Sequence, residues 1–240
     1  MERDGYNIFS TNLDGSALTP LTTGIDPVWS PDGRKIAFVR HTGRTPSEGE
    51  DGRATEIYVM NFDGSGVTAL TSHLEDDYHP TWSPDGKKIA FASEREGGNG
   101  RPDIYVMNAD GSDIRRIAPT SRSRDEPAWS PDGTRIAFTA YRANSDIFVI
   151  NVDGSGETPL TTTTASRLNS DPQWSPDGKK IAFTSGLILA PDETDYDIYA
   201  MNADGSDQRP VLAGAVDDFF GNWSPDGSKI VFASYRPSDP

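Results

Sequence analysis

The sequence contains no cysteine and only three histidines, His41, His73 and His79, among its 240 residues. Without thiols there is no disulfide framework, no thiolate nucleophile and no cysteine-ligated zinc, and three histidines leave little scope for imidazole metal chemistry. Positive charge is also scarce. Lys and Arg number 22 against 37 Asp and Glu, a formal net charge of −15 that repels a phosphate backbone or an anionic bilayer. Nucleic-acid binding is therefore not expected. No apolar run approaches the ~20 residues of a membrane span, so membrane insertion is not expected either. The opening Met-Glu-Arg-Asp-Gly is no signal peptide. Helix-period segments are missing. With only 34% hydrophobic residues, much of the burial must fall to the aromatic 10%.

Repetition is what the sequence has in quantity. Trp-Ser-Pro-Asp-Gly recurs at Trp29, Trp82, Trp129, Trp174 and Trp223, and two residues later comes Ile-Ala-Phe or, at Ile230, Ile-Val-Phe. A second phrase alternates with it: from Ile8, Ile57, Ile104, Ile147 and Ile198 the chain runs into Asn-x-Asp-Gly-Ser. The period is about 48 residues, close to that of propeller blades. Each period reads as four short strands: Pro-x-Trp, Ile-Ala-Phe-x-x, Ile-Tyr-Val-Met-Asn or a close variant, and a weaker fourth. Pro-Asp-Gly closes the first turn, because Pro presets φ and Gly accepts the positive φ that follows. Asp-Gly marks the hairpin between the third and fourth strands. Residues 6–22 supply only a third and a fourth strand, and residues 217–236 only a first and a second. The expectation is an all-β, five-bladed β-propeller of four-stranded antiparallel blades, one domain over residues 1–240. Pairing of the N-terminal strands (6–22) with the C-terminal strands (217–236) would close it and leave no open sheet edge.

The five Trp-Ser-Pro-Asp-Gly units with their Ile-Tyr-Val-Met-Asn-x-Asp-Gly-Ser partners resemble the propeller repeats of the TolB family, over nearly the whole sequence. The resemblance implies a propeller fold, a protein partner and a periplasmic or secreted location. Similar repeats occur in propeller domains of prolyl-oligopeptidase-like peptidases. Here, however, the serines of the repeats lie in Ser-Pro-Asp-Gly and Asp-Gly-Ser turns, not in a Gly-x-Ser-x-Gly nucleophile elbow.

In an up-and-down blade the first-to-second and third-to-fourth turns share one face of the disc. Those turns are nearly identical from unit to unit, whereas the connections on the opposite face vary in length and chemistry, and variable connections carry function. Three residues before each Trp stand Asp26, His79, Glu126, Asp171 and Phe220. Fivefold pseudosymmetry would gather them at the channel mouth, where three carboxylates and an imidazole would suit a divalent cation such as Ca²⁺, or a cationic ligand group. The alternative is that they cap loop backbone around a hydrated channel. No other cofactor is expected. The Asn-x-Asp-Gly-Ser phrases lack the further acidic ligands of a calcium loop and read as hairpin turns.

A second group of candidates lies along the variable connections. Leu187, Ile188 and Leu189 are consecutive apolar residues in what reads as a loop, and Phe219 and Phe220 interrupt an acidic approach to the last Trp. Tyr78, Tyr141 and Arg124 lie near the same rim, and Tyr and Arg are enriched at binding hot spots. The reading favoured is a noncatalytic, monomeric scaffold that displays this face and the channel mouth to a protein or peptide. Two others stand beside it. One is a glycoside hydrolase with Asp26, Glu126 and Asp171 as funnel carboxylates; the other is a repeat-derived chain without a natural partner.

Overall fold

The computed structural model describes residues 6–42, 54–96, 101–117, 123–141, 144–163, 166–190, 193–212, 214 and 217–234, and every element in them is a β-strand. The chain divides into two compact units, Met1–Arg116 and Ile117–Pro240. The first unit opens with a hairpin of β1 (Asn7–Ser10) and β2 (Thr19–Thr23). It continues with a blade of β3 (Ile25–Trp29), β4 (Lys35–His41), β5 (Thr55–Asn61) and β6 (Thr68–Ala69), then one of β7 (Asp77–Trp82), β8 (Lys88–Ser93), β9 (Asp103–Asn108) and β10 (Arg115–Arg116). The second unit holds a blade of β11 (Ser123–Trp129), β12 (Arg135–Tyr141), β13 (Ser145–Asn151) and β14 (Thr158–Pro159). A further blade follows, of β15 (Arg167–Trp174), β16 (Lys180–Ala190), β17 (Glu193–Asn202) and β18 (Arg209–Leu212), and then the hairpin of β19 (Asp218–Trp223) and β20 (Ile230–Ser234). All pairings are antiparallel between sequence neighbours. The fold class is all-β, a five-bladed β-propeller.

Each unit also holds a two-stranded hairpin beside its full blades. Among the described residues β1–β2 and β19–β20 are separate two-stranded sheets, and the expected ladder between residues 6–22 and 217–236 is not among the strand pairings. Each hairpin has a local reason to form. Ile8 packs with Ile36, Phe38 and Met60 of the first full blade, while Trp223 and Ile230 pack on Ala182 and Ile198 of the last.

The second strands explain why Ile-Ala-Phe shows no polar alternation. Ile36, Ala37, Phe38 and Val39, and their counterparts from Ile89, Ile136 and Ile181, are almost wholly buried. A strand covered on both faces reads as a continuous apolar run. In the first unit Ala37, Val39, Ile57 and Val59 of one blade join Trp82, Ile89, Phe91, Tyr105 and Met107 of the next in one core. In the second unit Ala137, Ile147, Val149 and Leu160 do the same with Trp174, Ile181, Phe183 and Met201. The repeated Trp reaches back across this seam: the Trp82 indole N–H donates to the Val28 carbonyl at 3.3 Å, and that of Trp223 to Gln173 at 3.2 Å. Trp29 is 51% exposed, since its own unit supplies no first strand ahead of β3.

The two turn types satisfy themselves. After β3 the Ser30 hydroxyl donates to Asp32 (2.7 Å), whose carboxylate also accepts the Arg34 N–H (3.1 Å), and the same set recurs after β7, β11, β15 and β19. In the other hairpin the Ser65 N–H and hydroxyl both donate to Asp63 at 2.9 and 2.6 Å, again in all five copies. These aspartates are turn braces. Gly111, at φ +85°, also brings its hairpin against the preceding blade: a Cβ there would lie 2.8 Å from the Leu70 carbonyl oxygen, a contact only glycine permits.

Candidate functional site

The residues three before each Trp share an unusual backbone. Asp26, His79, Glu126 and Asp171 have φ of 51°, 50°, 55° and 54°, and each sits where the register between the first and second strands slips. A left-handed residue in a β-bulge re-aims its side chain away from the regular pleat. For residues other than glycine this conformation costs roughly 1–2 kcal/mol, so the row is held by the fold around it.

The four stand two in each unit. In the first, Asp26 is exposed and His79 meets Tyr78 edge-on, with ring centroids 5.1 Å apart. In the second, Glu126 and Asp171 are brought together: the Thr139 hydroxyl donates to Glu126 Oε2 at 2.6 Å and the Asp171 backbone N–H to the same oxygen at 2.8 Å. Burial pushes the Glu126 carboxyl up to about 7, the Asp171 charge adds to this, and the two donated hydrogen bonds oppose it. Burial also raises the Tyr141 hydroxyl, as do the charges of Glu126, Asp125 and Asp171. Among the described residues no three His, Cys, Asp or Glu side chains form a group able to hold a metal ion.

The rim candidates divide. Tyr141, Leu189 and Phe219 are 39, 56 and 40% exposed, at the ends of β12 and β16 and the start of β19. Phe219 also packs on Tyr196, with centroids 5.1 Å apart. Leu187 and Ile188 are half-buried and lie within β16, not in a loop: the β16–β17 ladder continues through them to Ala190↔Glu193. Arg124 is no rim residue. It is 1% exposed, ion-paired with Glu157 and stacked over the Phe138 ring at 5.3 Å, so it has no surface to offer a partner. Tyr78 is half-buried, its hydroxyl donating to Glu94 at 3.3 Å. The side chain of Phe220 lies outside the described residues.

Comparison with known proteins adds a family to this geometry. The family model of the TolB beta propeller domain matches residues 23–139. Over that stretch the chain carries TolB-like β-propeller repeats. It is 31% identical over 96 residues to the Tol-Pal system protein TolB of Alcanivorax borkumensis, covering 38% of this chain and 20% of that protein. It is 35% identical over 96 residues to the Bacillus subtilis protein named uncharacterized peptidase YuxL, covering 37% and 13%. The crystal structure of TolB from Acinetobacter baumannii shares the fold at a TM-score of 0.72 and 24% identity, covering 93% of this chain and 53% of that one. The TolB-like chain thus spans well under two thirds of these relatives.

Two features of this TolB-like propeller have no counterpart in the motifs singled out from its sequence. An acidic residue precedes the Ile of every full third strand: Glu56, Asp103, Asp146 and Asp197. Each is buried or half-buried and ties its strand to the end of the fourth. Glu56 accepts from the Thr71 hydroxyl (2.6 Å) and the His73 N–H, Asp146 from the Thr161 hydroxyl (2.7 Å) and the Thr163 N–H (2.9 Å), and Asp197 from the Gly214 N–H (3.0 Å). Asp103 instead pairs with Arg116 at 2.6 Å. Burial raises Glu56 and Asp197, with the charges of Asp77 and Asp218 respectively adding to it. The other feature is an arginine over the aromatic pair of each full blade: Arg40 over Phe38 and Tyr58, Arg95 over Phe91 and Tyr105, Arg124 over Phe138, and Arg167 over Tyr199, at 4.9–5.4 Å. These arginines come from different positions in the repeat, which hides the pattern from sequence alignment.

Proposed function

We propose that the protein is a noncatalytic scaffold that binds a protein or peptide through the edge carrying its variable connections. The observation that carries this reading is the exposure of Tyr141, Leu189 and Phe219 along that edge of the second unit. Apolar side chains displayed on a rigid sheet mark interaction sites. The opposite turns spend their polar groups on themselves, and a Tol-Pal system protein is among the relatives. A periplasmic or secreted location and a monomeric state belong to the same proposal. Affinity capture from native lysate, run in parallel with a Leu189→Asp/Phe219→Ala double variant, tests it. The parent is expected to retain a defined protein that the folded variant loses, and identical capture by both would overturn the reading.

One observation favours a second reading, glycoside hydrolysis. Burial and then the Asp171 charge push the Glu126 carboxyl up to about 7, the direction a general acid needs. Its Oε2 already accepts two internal hydrogen bonds, which ranks this reading below the scaffold. Turnover on a panel of aryl glycosides, abolished by Glu126→Gln, would reverse the ranking; no turnover by the parent would end it.

A further inference from the structure

A cleft of about 330 Å³ lies in the second unit, and its lining includes Thr162, Arg167, Asn169, Ser185, Tyr199 and Gln208. That volume is at the small end of ligand sites. Its origin is visible in a comparison of the two full blades of this unit. In the first, the position five before the Trp is Arg124, which covers the Phe138–Phe148 pair and is neutralised by Glu157, six residues after Asn151. In the second, the same two positions are Asn169 and Gln208. The shorter Asn and the uncharged Gln leave open the space that an ion pair fills one blade earlier.

A cation still enters that space. Arg167 stands two residues ahead of Asn169 on the same strand face, its guanidinium 5.2 Å from the Tyr199 ring centroid and donating to the Ser185 hydroxyl at 3.0 Å. Among the described residues it has no carboxylate at ion-pair distance, in contrast to Arg95 with Asp77 (2.6 Å) and Arg124 with Glu157. A second observation is independent of the arginine. Asn169 is only 6% exposed, lines the cleft, and its side chain makes no hydrogen bond among the described residues. A nearly buried amide gains most from a partner that enters the cleft with it. Of the acids nearby, Asp146 is held behind Thr161 and Thr163, and Asp197 accepts from Gly214 and feels the Arg167 charge from beyond ion-pair distance.

We infer that this cleft binds a carboxylate, with Arg167 as its counter-ion and Asn169 and the Thr162 hydroxyl as further hydrogen-bond partners. The adjacent blade supplies the template, since a glutamate carboxylate serves the arginine there. One guanidinium in a chain of net charge −15 suits a single carboxylate better than a phosphate. The site is independent of the proposed docking edge and stands if that edge binds nothing.

The experiment is calorimetric titration of the full chain with two probes, a glutamate residue capped at both ends and succinate, with doubly capped glutamine as the uncharged control. Saturable binding of either acid is expected, weakened about tenfold or more in Arg167→Met, which keeps the stem and removes the charge. Binding of the capped glutamate alone would identify the source as a peptide side chain; binding of succinate alone, a free organic acid; binding of both, the carboxylate by itself. Gln208→Glu sets a carboxylate in the cleft wall at the cost of the amide's donations to the Leu160 and Gly205 carbonyls (2.8 and 2.9 Å), so it should abolish binding, and it decides the matter if Arg167→Met does not fold. No saturation by either acid up to about 10 mM, or binding untouched by Gln208→Glu, would overturn the inference.

Discussion

Trp82→Ala is expected to lower the unfolding free energy by about 3–5 kcal/mol, the usual loss when a large aromatic is removed from a packed core. Trp82 is 7% exposed, lies among Val39, Ile57, Leu70, Ile89 and Met107, and donates its indole N–H to Val28 in the preceding blade. Its loss opens a cavity in the seam between the two blades and leaves a carbonyl without that donor. Trp29 provides an internal control, because it occupies the same position of the same motif but is 51% exposed. Trp29→Ala should cost less than about 1 kcal/mol. Urea unfolding of both variants, followed by circular dichroism, measures the contrast. Equal losses would mean that the β3 face carrying Trp29 is covered in solution; a small loss at Trp82 would mean that the seam repacks without its indole.

That contrast shows what a repeat reveals and what it hides. The turns were legible because Pro-Asp-Gly and Asp-Gly dictate backbone geometry locally, and the number of strands followed from counting them. The environment of a repeated residue was not legible, since it depends on what lies across the seam: Trp29 and Trp82 open the same Trp-Ser-Pro-Asp-Gly motif and have opposite exposures. Leu187, Ile188 and Leu189 read as a loop for a related reason. They follow Gly186 in β16, where the ladder to β17 runs on and a Cβ at Gly186 would lie 2.7 Å from Thr194 and Tyr196. Arg124 looked like a rim residue because its partner, Glu157, is 33 residues away and belongs to another strand pair. The bulged row at Asp26, His79, Glu126 and Asp171 was found by alignment on Trp. Its left-handed backbone was not, because Asp and His adopt that conformation more often than most residues yet usually take others, and Glu gives no such signal. The acidic residue before the third-strand Ile of each full blade was present in plain sequence. It was masked by the surrounding Asp-rich composition.

Stability is expected to peak near pH 4 to 5 and to fall as the pH rises toward 7. Two sets of carboxyl groups act in opposite directions. Serine hydroxyls, assisted by backbone N–H groups, hold the turn aspartates Asp32, Asp85, Asp177 and their counterparts below the ordinary carboxylate range, Asp226 at about 2. Between about pH 2 and 4 the unfolded chain therefore binds more protons than the folded one at these sites, and stability rises with pH. Glu126, Glu56 and Asp197 are shifted the other way, with burial as the leading cause and Glu126 reaching about 7. From the unfolded value of about 4.3 upward, the folded state keeps protons that the unfolded state has released, so stability is lost until the folded groups have titrated. For Glu126 the loss is on the order of 1–3 kcal/mol between about pH 4.5 and 7. Glu126→Gln removes that titration while keeping an acceptor for Thr139 and the Asp171 N–H, and should flatten the decline. The general repulsion of a chain of net charge −15 slopes in the same direction, but molar salt screens it and leaves a buried group largely untouched. Urea denaturation across this range, at low and high salt, separates the two. A parent whose stability is flat from pH 5 to 7 in high salt, or a Glu126→Gln protein with an undiminished slope, would show that Glu126 is ionised throughout and that its bulge is open to water.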